Sequence, residues 1–538
     1  MGESVNRAEY CGTYDVVRAD FEESVAQFGL PFEAAESCPR AHRLELVREV
    51  NAVGQGADES HDEVRQPLHC ENGDASLWRG WISPACLACR KGERTATFFV
   101  SLKCTKHCYF CFNPNQEDYE FFRTHTRDIA EELRQAHAQG AQFDCLAITG
   151  GEPCLHKPEV LEFLRCAKEL YPGVHVRIYT SGDLLDDAFL NDLAEAGLDE
   201  LRFSVKPQDT DGDQEELFGR MAAAVRVIPD VMVEMPVMPG EEQEMRDLLL
   251  RLDELGIRGI NLLELCFPLH NEQEFKRRGF KLRRKPYKVL YNYWYAGGLP
   301  IAGSEAACLD LLRFSEERGL RMGVHYCSLD NKNTGQVFQQ NRGFLLDDGF
   351  ARSHAWLAMD EADYFLKCVK AFGEDALRVR DWLSSKEGTE AVELAEAKAF
   401  ASKALSREMV DDGSLCAQVE PRDPQERQAG SPDAASVPQR VQRPFAVRFD
   451  RTAYKRVASL NDEIRRVMDN RAAFLSEISA EDRVRFNSEI PSVTFPAAWA
   501  NAVQERFPEA ELAECWHVVE FDESTGPVLR EVYATPLV

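Results

Sequence analysis

Between Thr95 and Leu265 short apolar runs alternate with amphipathic stretches, and this alternation limits the fold more than any other feature of the chain. TATFFVSL, FDCLAIT, VHVRIY, LRFSV, VMVEMPVM and GINLLEL read as six strands. Helical patterns separate them, at Asp128 to Gln139, PEVLEFLRCAKEL with Pro158 near its first turn, about Asp186 to Ala196, and around 214–227 and 241–255. Strand and helix in turn are the signature of βα units and a parallel sheet. LPIAG at 299–303 and MGVHY at 322–326 flank a helical stretch at 304–318, and either extend the sheet toward a closed barrel or lie beside an open one.

The rest of the 538 residues divides by composition. Residues 1–94 mix helical patterns with the polar stretch GQGADESHDEVRQ and form an N-terminal extension; 95–330 is the barrel. Helical segments extend it over 331–410, and 411–442, rich in Pro, Gln, Ser and charge, reads as a disordered linker. Residues 443–538 regain aromatics and helical periodicity and read as a small α+β module.

Lys and Arg total 63 against 91 Asp and Glu, and a formal charge of -28 repels nucleic acid at long range. KRRGFKLRRKP, 276–286, is the local exception, read as a solvated loop and helix start with an anion site as the sharper alternative. The start MGESVNRAEY lacks the apolar core of a signal peptide, and no run of about 18 apolar residues suggests a membrane span. With an odd count of seventeen cysteines, the expectation is a cytoplasmic protein with reduced thiols.

LKCTKHCYFCFNP, 102–114, then sets Cys104, Cys108 and Cys111 on one short loop after the first strand. A structural zinc site closes its tetrahedron with four ligands. Three thiolates with no fourth beside them suit a [4Fe–4S] cluster with one iron open for chemistry.

CTKHCYFC resembles the CxxxCxxC signature of the radical S-adenosylmethionine (radical SAM) superfamily. The resemblance implies a partial (β/α)6 TIM-like barrel, a cluster on Cys104, Cys108 and Cys111, and S-adenosylmethionine on the open iron, with Phe110 near the adenine. Gly150, Gly151, Glu152 and Pro153 resemble the family's GGEP motif for the methionine amino group. Glycines let main-chain carbonyls approach an amine closely, and a carboxylate complements its charge. Thr180, Ser181 and Gly182 resemble a turn beside the ribose, and Ser204 and Lys206 are placed to reach the ribose or the methionine carboxylate. GIRGINLLE, 256–264, is similar to the family's GxIxGxxxxE segment along the adenine. The resemblance covers about Thr95 to Leu265 and implies hydrogen abstraction from a protein, peptide or metabolite by a 5′-deoxyadenosyl radical, with a flavodoxin or ferredoxin as reductant. Alternatives are an activase that installs a glycyl radical, and a non-catalytic iron–sulfur or zinc protein on the same scaffold.

SPACLACRKGE adds Cys86 and Cys89 as a CxxC, either free thiols or two ligands of a second iron–sulfur cluster or metal completed by Cys70, Cys266 or Cys327. Cys327, at the end of a predicted strand, is a catalytic candidate as hydrogen donor, or a buried small residue. Most rings of YNYWYAGG, 291–298, read as core.

Overall fold

The computed structural model describes, with short interruptions, residues 26–49, 67–289, 298–345, 354–397 and 478–537 and the pair 455–456. The expected linker at 411–442 and residues 291–297 of the aromatic run lie outside the described residues. The chain falls into two compact units, one of Met1–Arg342, Pro438–Asp450 and His517–Val538, the other of Gly343–Val437 and Arg451–Trp516.

In the first unit the six expected strands are present as β3 (Thr95–Phe99), β4 (Cys145–Thr149), β5 (His175–Thr180), β6 (Glu200–Phe203), β7 (Asp230–Val237) and β8 (Gly259–Glu264), each parallel to the next. MGVHY supplies β9 (Gly323–Cys327), which extends the parallel sheet beside β8. LPIAG does not extend it: Leu299–Pro300 pairs with Cys266–Phe267 in a separate two-stranded sheet. On the far side of β9 lie two antiparallel strands from the N-terminal extension, β2 (Ser76–Arg79) and then β1 (Leu68–Glu71). The resulting order, β1-β2-β9-β8-β7-β6-β5-β4-β3, is an open, partial barrel.

Helices connect the strands, and three of them start at side-chain caps. Asp128 accepts from Glu131 N at the start of Ile129–Ala138, Asp186 from Phe189 N at the start of Asp187–Glu195, and Thr210 and Asp213 form a capping box at Asp211–Ala224.

One face of the strands carries Val176, Ile178, Leu201, Phe203, Val231, Val233, Ile260, Leu262, Val324 and Tyr326, packed in one apolar cluster with helix residues such as Leu133, Phe163, Leu190, Met221 and Leu249. A fully buried side chain of this size contributes about 1.5–3 kcal/mol, so stability resides on this outer face. Side chains alternate along a strand. Arg177, Tyr179, Arg202, Glu234, Asn261, His325 and Cys327 therefore face the opposite side, the concave lumen.

The stretch 331–410 is not a purely helical extension. Besides Leu329–Asn341 and Gly373–Leu383 it holds the strand Leu366–Phe372, paired antiparallel with Ser492–Pro496, which in turn pairs with Arg485–Asn487. LKCVKAF is largely buried on both faces, with one lysine on each, a pattern that periodicity alone does not separate from a buried helix.

Candidate functional site

Cys104, Cys108 and Cys111 lie on the loop after β3, at the end of the parallel strands where α/β barrels place their sites. Cys104 is exposed and the other two half-buried; all three are free thiols. Burial pushes the Cys111 thiol up to about 11 and raises Cys104 as well, with Lys206 acting in the opposite sense. The loop is held from several sides. Lys106 Nζ meets Asp209 at 2.8 Å and Asp183 at 3.3 Å. Thr105 Oγ1 donates to Asp183 at 3.2 Å. Asn271 Nδ2 donates to Tyr109 O at 3.0 Å, and His270 Nε2 lies 2.7 Å from Cys111 O.

The firmest hold comes from Gly150, Gly151 and Glu152. Gly151 N donates to Ser101 O at 3.0 Å and Glu152 N to Lys103 O at 2.8 Å, while Asn113 Nδ2 donates to Gly150 O beyond the last cysteine. Gly150 has φ +104°, and a Cβ on Gly151 would lie 1.8 Å from Lys103 O. A side chain at Gly151 would have to move the cysteine loop at Lys103, and one at Gly150 would have to move Phe99 and Ser101 just before it.

Glu152 is 2 % exposed. Its Oε1 accepts from Thr180 Oγ1 at 2.7 Å and Cys154 N at 3.1 Å; its Oε2 accepts from Ser181 N and Ser181 Oγ, both at 2.7 Å. Four donors fill the lone-pair sites of a carboxylate. Glu152 is thus committed to shaping the Thr180–Ser181 turn at the end of β5. Pro153 is buried and opens the short helix Pro153–His156.

Lys206, after β6, is 7 % exposed. Its Nζ donates to Ser204 Oγ and lies 5.9 Å from the centre of the Phe110 ring, with no carboxylate partner among the described residues. The expected cofactor residues Phe110, Gly150 to Pro153, Thr180, Ser181, Ser204 and Lys206 therefore surround the cysteine loop at the ends of β3 to β6. Among the described residues no three His, Cys, Asp or Glu side chains converge as one metal ion requires. A four-iron cubane takes each cysteine on a different iron, so three thiols spread along one loop fit that group.

Glu264 lies elsewhere. At 5 % exposed it accepts from Arg283 Nη1 at 3.0 Å and from Leu329 N at 2.9 Å, inside a buried ionic group with Glu305, Arg43 and Asp330. Burial raises its carboxyl, and Arg283 works against that. Arg283 belongs to the basic run, whose Arg277 and Arg278 are paired to Glu274, so its described arginines are ion-paired within the chain.

Below the rim, α1 (Pro84–Lys91) brings Cys86 and Cys89 against the lumen. Ser83 starts this helix by accepting from Ala85 N, and it donates to Glu200 Oε2. Burial alone would raise the Glu200 carboxyl, but Arg202, His175 and Ser83 outweigh it and hold it at about 2. Cys86 Sγ accepts from Asn261 Nδ2 at 3.2 Å and Arg202 Nη2 at 3.3 Å. Asn261 also donates to Glu234 at 2.7 Å, and its Oδ1 lies 2.8 Å from His325 Nδ1, whose Nε2 is 2.9 Å from Ser76 Oγ. Burial, then Arg202, holds His325 down at about 4, so the ring is neutral near pH 7. Cys327 stands at the end of β9, half-buried, with Asn331 Nδ2 donating to its sulfur at 3.4 Å; burial, with Cys89 and Cys86 adding to it, pushes its thiol up to about 12.

Sequence reasoning missed Arg177, Tyr179, Arg202, Glu234, Asn261 and His325. The available signal was a polar residue inside each apolar run, in VRIY, LRF, VEM, INL and VHY. Residues of one parity in neighbouring strands share a face.

The sequence model of the Radical SAM superfamily matches residues 99–252. A Methanocaldococcus jannaschii protein provisionally named a glycyl-radical enzyme activating enzyme is 28 % identical over 257 residues, 46 % of this chain and 63 % of that protein. PqqA peptide cyclase of Granulibacter bethesdensis is 31 % identical over 126 residues, 23 % of this chain and 31 % of that one. The chain thus spans less than two thirds of either curated relative. Among solved structures, Streptococcus suis SuiB is similar with TM-score 0.33 and 14 % identity over 48 % of this chain and 55 % of that one. Coproporphyrinogen III oxidase (HemN) from Escherichia coli, a radical SAM enzyme, gives TM-score 0.29 and 17 % identity over 44 % and 57 %.

Proposed function

We propose that this protein, whose residues 99–252 match the Radical SAM superfamily model, is a radical SAM enzyme of the cytoplasm that abstracts hydrogen from an organic, peptide or protein substrate. The observation that carries the reading is a loop with three free thiols, Cys104, Cys108 and Cys111, clamped on both sides to Gly150, Gly151 and Glu152. When bound there, a [4Fe–4S] cluster supplies the electron that cleaves S-adenosylmethionine to methionine and a 5′-deoxyadenosyl radical. The chain's own residues bind and orient. Lys206, a buried amine without a carboxylate partner among the described residues, suits the methionine carboxylate, with Ser204 beside it. Main-chain carbonyls around Gly150 and Gly151 suit the amino group, Glu152 fixes the Thr180–Ser181 turn toward the ribose, and Phe110 offers a face to the adenine. A flavodoxin or ferredoxin is the class of reductant this chemistry needs.

The test is an anaerobic assay of reconstituted protein with dithionite and S-adenosylmethionine, following 5′-deoxyadenosine. Product from the native chain, and none from a variant with Cys104, Cys108 and Cys111 changed to Ala, supports the reading. A bound, reducible cluster with no product, even after lysate substrates are added, would favour a non-catalytic iron–sulfur protein. The likeness to the M. jannaschii protein favours a second reading, in which the substrate is a main-chain glycine of a partner enzyme. That reading requires a glycyl-radical signal by electron paramagnetic resonance when the two proteins are mixed.

A further inference from the structure

We propose that Arg177 and Tyr179 form a carboxylate receptor in the barrel lumen, so that the molecule entering the lumen carries a carboxylate. Calling that molecule the substrate rests on the reading of the rim given above; the receptor itself does not. Arg177, third residue of β5, is 8 % exposed, and among the described residues its one side-chain hydrogen-bond partner is the Tyr179 hydroxyl, 3.1 Å from Nε. Arg202, on the neighbouring strand and 3 % exposed, is by contrast saturated. It pairs with Glu200 and Glu234 and donates to Tyr179, Ser83 and Cys86. A buried guanidinium without a counter-charge is costly, and a fold with no use for it would pair or replace it.

The Nη atoms of Arg177 are not among the described buried polar atoms that lack a partner, so they open onto accessible space. Cys89 on α1, an exposed thiol, is close enough to feel the charge of Arg177. Tyr179 adds a second unfilled donor. Its oxygen accepts from Arg177 Nε at 3.1 Å and Arg202 Nη1 at 3.2 Å, and its own proton has no acceptor among the described residues. Two parallel N–H groups and an adjacent O–H match a planar two-oxygen anion. One uncompensated positive charge, with Glu234 nearby, suits a monoanionic group better than a phosphate dianion. Entry is from the rim, because the other end is filled: Trp81 lies against Gly259 and Gly323 at the starts of β8 and β9, and Ser83 against Glu200.

The test uses phenylglyoxal, which modifies accessible guanidinium groups, on the full-length chain without S-adenosylmethionine, with Arg177 followed by peptide mapping. Arg177 should react in the free protein, and succinate or triglycine should slow its modification by about tenfold, whereas the corresponding amides should not. Protection by succinate alone identifies a small organic acid as the ligand, and protection by triglycine identifies a peptide C-terminus. An unreactive Arg177, or equal protection by acids and amides, would overturn the proposal. As a second readout, Arg177→Met should leave the thermal midpoint unchanged or raise it, since it removes an unpaired buried charge; a lowered midpoint means a structural role and sinks the idea. Because neither measurement needs a cluster, failure to form 5′-deoxyadenosine would count against the proposed reaction and leave this result standing.

Discussion

The rim of the barrel and its floor are built on opposite principles. At the rim, geometry is set by main chain on main chain: Gly151 on Ser101, Glu152 on Lys103, Gly150 under Asn113. At the floor it is set by side chains from five strands and one helix: Tyr179, Arg202, Glu234, Asn261, His325 and Cys86 hydrogen-bond one another across the lumen, with Arg177 attached through Tyr179 alone among the described residues. Main-chain contacts tolerate no added atom at the glycines, whereas a side-chain network can trade one polar group for another. On the proposed function, the rim would hold a fixed cofactor and the floor would be where a site for a particular substrate can be varied.

The difference can be broken or sharpened by substitution. The largest effect belongs to the rim cysteines. Any one of Cys104→Ala, Cys108→Ala or Cys111→Ala should drop 5′-deoxyadenosine formation to background in the anaerobic assay. Gly151→Ala comes next: one methyl group 1.8 Å from Lys103 O must displace the cysteine loop. A displacement of about 1 Å can cost about a hundredfold in rate, so the same assay should show a loss of that order with the fold retained by circular dichroism.

At the floor, His325 provides a pH test. Its folded value of about 4 lies below the unfolded 6.5, so stability held by the neutral ring is present above pH 6.5 and lost as pH falls toward 4. The loss is roughly 3 kcal/mol across that window. His325→Gln should flatten the acid limb of chemical denaturation curves; an unchanged limb would remove His325 from the network. The smallest effect is expected at Cys86 and Cys89. Arg202 and Asn261 already donate to Cys86 Sγ, and a cationic donor at a sulfur opposes a bound metal cation. Cys86→Ser and Cys89→Ser should therefore leave the iron content of reconstituted protein at that of one cluster; a fall by half would establish a second cluster there.

The rim could be read in the sequence because its residues come as contiguous motifs, CTKHCYFC and GGEP, each at the end of an apolar run. The floor could not, because Arg177, Arg202 and His325 are single polar residues in three strands, and only the register that pairs Tyr179 with Arg202 and Asn261 with His325 brings them together. The fold divides in the same way. Six strands and their helices follow from local pattern, and MGVHY joins them because a parallel neighbour was waiting at β8. SLWR at 76–79 is too short to declare itself and becomes a strand through pairing with β9. Glu264 is the instructive case: its segment resembles an adenine-side element, yet Arg283 and Leu329 N claim its carboxylate. The partners that decide its role are remote in sequence.

The crossing of Gly151 over Lys103 also bears on how such a site can be transplanted or recombined. Residues 102–113 do not hold their shape alone, because Ser101, Lys103 and Asn113 are latched to the separate segment Gly150 to Glu152. A graft of the cysteine loop into another barrel would have to carry residues 150–152 with it, at the same height on the adjacent strand. An insertion at the end of either strand would break both halves together, so the two motifs form a single module written in two places.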